Sequence, residues 1–176
     1  MSTRSGEFVT LRKLIDVVGV DAVRYFFLER RSDQTLEFDI ELAKKKNKDN
    51  PVYYIQYAHA RICSLMKELQ ERGFNYSHAE GSKALSSLSS SKENELVSQI
   101  NSYQLTLERC FDKREIHSLC FYLRDLAAIF HSFYNSHPII DKDDVSRNAR
   151  IAVSLATQAV IKDGLSILGI GAPEKM

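Results

Sequence analysis

Residues 50–61 read NPVYYIQYAHAR. Tyr53, Tyr54 and Tyr57 stand there with Gln56, His59 and Arg61, at what the spacing marks as the start of an apolar helix. Lys44, Lys45, Lys46 and Lys48 lie just upstream. Flat aromatic faces, a guanidinium and nearby positive charge are the chemistry that holds unstacked RNA bases against a phosphate backbone. The same residues also suit a buried helix start, with rings in the core and hydroxyls at the surface. A lysine run, for its part, is commonly a solvated helix end. Helical spacing separates Tyr54, Tyr57 and Arg61 on one face from Ile55, Ala58 and Ile62 on another,. A second polar aromatic group, Tyr134, Asn135 and His137, closes a long apolar stretch and is weak evidence by itself.

Chemistry of other kinds finds no support. The sequence has no Gly-rich phosphate loop, HExxH, CxxC or GxSxG,. The five histidines, His59, His78, His117, His131 and His137, have no metal-ligand spacing with the cysteines,. His117 and Cys120 share a helix face, but two ligands do not make a site. Asp141, Asp143 and Asp144 precede a helix, where carboxylates suit its N-terminal dipole,. No catalytic constellation can be assembled, which favours a binding module with no metal.

Composition sets the frame. Apolar residues make up 44% of the 176 and charged residues 27%, the profile of a soluble globular domain,. The net charge of +1 excludes a global basic field, so any nucleic-acid contact must be local,. Residues 41–61 supply such a patch, with four lysines and Arg61 against Glu41 and Asp49. No apolar run approaches the ~20 residues that span a bilayer, and MSTRSGEFVT lacks a signal-peptide core,. The expectation is a cytoplasmic protein without a membrane partner. Cys63, Cys110 and Cys120, odd in number and far apart, read as reduced thiols packed in the core,.

The elements that must position these residues are helical. Leu11, Leu14, Ile15 and Val18 follow a helical period between Thr10 as cap and Gly19 as stop,. A second helix from about Asp21 carries Ala22, Val23, Phe26 and Phe27 inward, LEFD at 36–39 is extended, and a third helix covers about 40–48. Asn50 caps a helix with Pro51 in its first turn, whose stripe of Ile55, Ala58, Ile62, Leu65, Met66 and Leu69 stops at Gly73,. Serine-rich residues 75–91 read as a flexible connection,. Ser90 and Glu93 are spaced as a capping box for one helix through Leu96, Ile100, Tyr103 and Leu107,. Asp112 and Glu115 repeat that spacing before a helix from Ile116 to the break at Pro138. The last helix runs from about Asp144 through Ile151, Leu155, Ala159, Ile161 and Leu165 towards Gly169. Short connections between such elements predict an all-α, antiparallel helix bundle.

Four segments, in order, resemble the C-terminal region of bacterial arginyl-tRNA synthetases, class I aminoacyl-tRNA synthetases. MSTRSGEFVTL at 1–11 resembles the sequence after the first lysine of the family's KMSK-type loop. VGVDAVRYFFL at 18–28 is similar to the segment joining catalytic core and helical region. NPVYYIQYAHARI at 50–62 is highly specific to the family, and GLSILGIGAPEKM at 164–176 resembles its end. The resemblance implies the α-helical anticodon-binding (DALR) domain of class Ia synthetases over residues 46–176. Residues 1–45 would be the end of the catalytic region and connecting helices.

By that similarity Tyr54, Tyr57, Arg61, Tyr134 and Met176 match anticodon-binding positions. Lys44, Lys45, Lys46 and Lys48 are candidates for backbone phosphates. Met1, Ser2, Thr3 and Arg4 form the loop remnant, which lacks the leading lysine and has Thr3-Arg4 where related loops have a second one. The chain has no HIGH-type motif and no nucleotide-binding fold, so it reads as an inactive fragment of arginine–tRNA ligase without its catalytic core. It would need no cofactor itself, whereas the full-length enzyme would use ATP and Mg2+. The implied partners are the anticodon loop of arginine tRNA and the chain's own catalytic domain, with the protein a monomer. The alternative is a helical protein-interaction module that binds no RNA, which the near-zero net charge also suits.

Overall fold

Five of the described helices start at a short side chain that accepts a backbone N–H group,. The computed structural model describes residues 9–31, 33–140 and 143–176. α1 (Leu11–Val18) starts where the Thr10 side chain accepts from the Lys13 N–H, and stops at Gly19, whose φ of 85° suits a residue without Cβ,. α2 (Val20–Leu28) follows at once, and α3 (Ile40–Lys44) is capped by Asp39. α4 (Pro51–Glu71) has Asn50 as cap and Pro51 at its first position,. α6 (Ser91–Asn101), after α5 (His78–Ala84), has the expected Ser90–Glu93 capping box. α7 (Tyr103–Lys113), α8 (His117–Ser136) and α9 (Asp144–Ile167) complete the chain, α9 with Asp143 as cap.

The expected bundle is present, and several details differ for physical reasons. Phe27 is 47% exposed, and Tyr25 takes the inward place with its hydroxyl donating to the Cys120 carbonyl at 3.1 Å. α3 ends at Lys44, since the Asn50 side chain takes the carbonyls of Ala43 and Lys45. Residues 75–91 are no loose connection. They hold α5 and a 3-10 turn at Leu85–Ser87; α5 packs on α9, and its buried residues are the small Gly81, against the Tyr76 ring, and Ala84. The helix expected through Leu107 breaks at Ser102. There the Gln99 carbonyl accepts from both the Ser102 and Tyr122 hydroxyls, which draws it off the helical ladder,. Asp112 lies inside α7 and caps nothing, while Arg114 ends that helix at φ 55°. Ala159 is exposed, Met66 only half-buried, and of the cysteines only Cys120 is fully buried.

α4, α8 and α9 form the centre. Their inward faces bring together Ile55, Ile62, Leu123, Phe130, Ile151 and Leu165, each at most 1% exposed. Contacts of α8 with α9 pair Pro138 with Arg150 and Leu123 with Gly164, so the two run antiparallel. α4 is antiparallel to α9 in the same way, with Cys63 at Gln158 and Phe74 at Arg147. Consequently α4 and α8 run in the same direction side by side. Direct contacts of Tyr54, Tyr57 and Arg61 with His131 and Asn135 set the first turns of α4 against the last turns of α8. Among the described residues no helix is long and apolar enough to cross a membrane.

Candidate nucleic-acid interface

Helical spacing turns Ile55, Ala58 and Ile62 into the core and leaves the tyrosines of α4 towards its flank. Ile55, Ala58 and Ile62 are fully buried, whereas Tyr57 is 40% exposed. Tyr53 and Tyr54 are half-buried. The rings form a continuous series across two helices. Tyr53 and Tyr57 lie 6.4 Å apart with planes at 14°, and Tyr57 and His131 of α8 lie 5.3 Å apart at 21°. Tyr54 packs on the same imidazole at 4.4 Å. The Tyr53–Tyr57 and Tyr57–His131 faces are stacked, a favoured aromatic geometry, while Tyr54 is tilted by 37° to the imidazole,.

Arg61 joins this series to Tyr134. Its guanidinium carbon stands 4.0 Å over the Tyr134 ring and 5.9 Å from that of Tyr57. One end of the fork donates to Asn135 Oδ1 at 2.8 Å and the other lies 3.4 Å from His131 Nδ1. The result is a flat, cationic platform beside an exposed tyrosine ring, on which a nucleobase can stack.

His131 is the residue that sequence reasoning passed over, having met it only as a histidine without metal partners. It is 4% exposed and precedes Tyr134 by three residues, so the two share a face of α8; that spacing was the available signal,. Its Nε2–H donates to the Tyr54 carbonyl at 3.3 Å, which leaves Nδ1 to accept from Arg61. Burial pushes its pKa down, and the Arg61 charge adds to this against the Tyr54 bond,. A lowered folded pKa means that the unfolded chain binds the proton more readily. The stability contributed by neutral His131 is therefore full above about pH 6.5 and lost as pH falls through the folded value,. Melting temperatures across pH 7.5–5 should fall more steeply for the parent chain than for His131→Gln. Equal slopes would remove the imidazole from this account.

The basic run borders the aromatic face. Lys44, Lys45 and Lys46 line one shallow cavity with Asp21, Tyr53 and Gln56. Lys44 pairs with Glu41 at 3.0 Å and Lys45 with Asp49 at 3.1 Å, both at the surface. Lys46 and Lys48 are exposed and have no carboxylate partner among the described residues. Asn50, 4% exposed, fixes this loop to α4: its amide donates to the Ala43 and Lys45 carbonyls, each at 2.9 Å.

Met176 is half-exposed. The chain before it crosses α4, where the Pro173 carbonyl accepts from His59 Nδ1–H at 2.9 Å. Met1, Ser2, Thr3 and Arg4 lie outside the described residues, as does Asp141. Among the described residues no three potential metal ligands come together.

An all-α bundle with an aromatic and cationic face on two neighbouring helices is the class of protein these features define. A family model of the DALR anticodon binding domain matches residues 55–176, and the chain belongs to that family. An arginine–tRNA ligase of Halorhodospira halophila is 48% identical over all 176 residues, and one of Coxiella burnetii is 46% identical over the same length. The chain spans 30% of the length of each of these relatives. The structure of an arginyl-tRNA synthetase from Campylobacter jejuni superposes with a TM-score of 0.85 at 34% identity, covering 98% of this chain and 37% of that one. The arginyl-tRNA synthetase of Thermus thermophilus, at 24% identity and a TM-score of 0.74, has the same fold over 98% of this chain and 29% of its own.

Proposed function

We propose that this chain recognises the anticodon loop of arginine tRNA as part of an arginine–tRNA ligase, the enzyme that attaches arginine to its tRNA with ATP. The observation that carries this reading is the exposed Tyr57 ring beside the Arg61–Tyr134 platform, with unpaired Lys46 and Lys48 nearby. Family membership and the match of the whole of this chain to part of arginine–tRNA ligases support it. In this reading Tyr57 and Tyr134 stack on splayed bases and Tyr54 backs the site through His131. Arg61 holds the platform flat, and Met176 closes one side. Lys44, Lys45, Lys46 and Lys48 meet phosphates.

Residues 46–176 are then the anticodon-binding domain and residues 1–45 the junction with the catalytic region. Arginine tRNA and that region are the partners. ATP and Mg2+ would be held outside the described residues, in a cytoplasmic enzyme.

Affinity for an arginine anticodon stem-loop tests the proposal, set against a stem-loop with exchanged anticodon bases. The arginine loop should bind tighter, because splayed bases are told apart by hydrogen bonds to their edges, whereas stacking alone accepts any base. Binding of both should weaken steeply with salt as lysines release counterions. Equal affinity for the two loops would end the claim of base readout. A salt-insensitive interaction would instead favour a protein-binding module.

A further inference from the structure

The segment after α9 has no regular structure, and such a segment is ordinarily loosely held,. Here it is gripped at successive backbone groups by side chains of α2 and α4. Arg24 donates to the Gly169 carbonyl. Asp21 Oδ2 accepts the Gly171 N–H at 3.3 Å, and Gln56 Nε2 donates at 2.9 Å both to that carboxylate and to the Gly171 carbonyl. His59, 3% exposed, holds the Pro173 carbonyl. Between these bonds Leu168 and Ile170 are each 4% exposed, anchored in the core.

Two glycines make the close approach possible. Gly169 has φ +67°, and a Cβ there would stand 2.6 Å from the Arg24 guanidinium. At Gly171 a Cβ would stand 3.2 Å from Asp21 Oδ2. Asp21 and Arg24, both of α2, therefore face Gly169 and Gly171 as matched pairs.

We propose that Asp21, Arg24, Gln56 and His59 form a clasp that seats residues 169–173 along α4 and thereby sets where Met176 stands relative to the tyrosine face. Met176 lies three residues beyond Pro173, and three residues reach at most roughly 10 Å,. The clasp thus confines Met176 to the neighbourhood of the turns of α4 that carry Gln56 and His59, the same stretch of helix that presents Tyr57 on another face,. Gln56 and its companions are positioning residues, acting through the segment they hold. Their part in RNA binding rests on the function proposed above.

The test compares the parent chain, Gln56→Ala, a chain lacking residues 174–176, and both changes together. Amide exchange at Gly171 should quicken about 5–30-fold in Gln56→Ala, a loss of one or two kcal/mol of local stability, with α4 amides and the melting temperature unchanged. Affinity for the arginine anticodon stem-loop should fall by a similar factor in Gln56→Ala and in the shortened chain. The combined variant should be no weaker than the shortened chain alone, because both act through Met176. Unchanged exchange at Gly171 would overturn the clasp. Additive losses of affinity would overturn its action through Met176. A parent chain that binds no stem-loop would overturn the proposed function, and the exchange measurement would still decide the clasp.

Discussion

Glu93→Ala is expected to destabilise the fold by about 3–5 kcal/mol, the cost of stranding one partner of a buried ion pair. Glu93 is 3% exposed and serves three donors from two parts of the chain. Its Oε2 accepts the N–H groups of Ser89 at 3.1 Å and Ser90 at 3.0 Å, closing the capping box of α6. Its Oε1 accepts Arg150 Nε of α9 at 2.9 Å, and the same guanidinium donates to the Pro138 carbonyl at 2.7 Å. Alanine would leave the two backbone N–H groups and Arg150 Nε without their acceptor at a partly buried site.

The pH dependence of Glu93 has a definite sign. Burial alone would raise the carboxyl, but the Ser90 N–H, the Arg150 guanidinium and the Ser89 N–H outweigh it and hold the pKa at about 2, against an ordinary 4.5. The folded value lies below the unfolded one, so this contribution is present above about pH 4.5 and lost as pH falls towards 2,. It amounts to roughly 3 kcal/mol. Urea titrations at pH 7 and pH 3 measure both effects. A parent and Glu93→Ala gap that stays the same at both pH values would contradict the assignment.

Tyr57→Ala is expected to weaken binding of the arginine anticodon stem-loop by about 1–3 kcal/mol, the cost of one lost base stack. Its folding stability should change little, because the ring is 40% exposed. Arg61→Ala separates the roles further. It frees Tyr134 and Asn135, so it should lower both affinity and the melting temperature, whereas Tyr57→Ala lowers affinity alone. Calorimetry on the two variants distinguishes these patterns. Unchanged affinity in both would detach the aromatic face from RNA.

Much of this architecture was legible because its signals are local. Caps at Thr10, Asn50 and Ser90 act within three residues, and the α4 stripe repeats with the helical period. The placement of Tyr54, Tyr57 and Arg61 on a face apart from Ile55, Ala58 and Ile62 follows from that period alone. What escaped reading depends on distance along the chain or on small size. Arg150 meets Glu93 across 57 positions, and Tyr25 meets the Cys120 carbonyl across 95. The buried residues of α5 are Gly81 and Ala84, which scarcely register as an apolar pattern amid serines. His131 was visible as a residue but not as a partner, since its role depends on α4 and α8 running side by side.

The lodging of Arg61 between Tyr134, Asn135 and His131 has a kinetic consequence. A long side chain on a surface ordinarily loses about 0.5–1.5 kcal/mol of rotamer freedom when a ligand fixes it. Here the protein's own neighbours have already fixed it. On the proposed function, a base arriving at this platform would meet a finished surface, so its identity would be expressed in how long it stays. How often it arrives would then be governed by Lys46, Lys48 and the ionic strength.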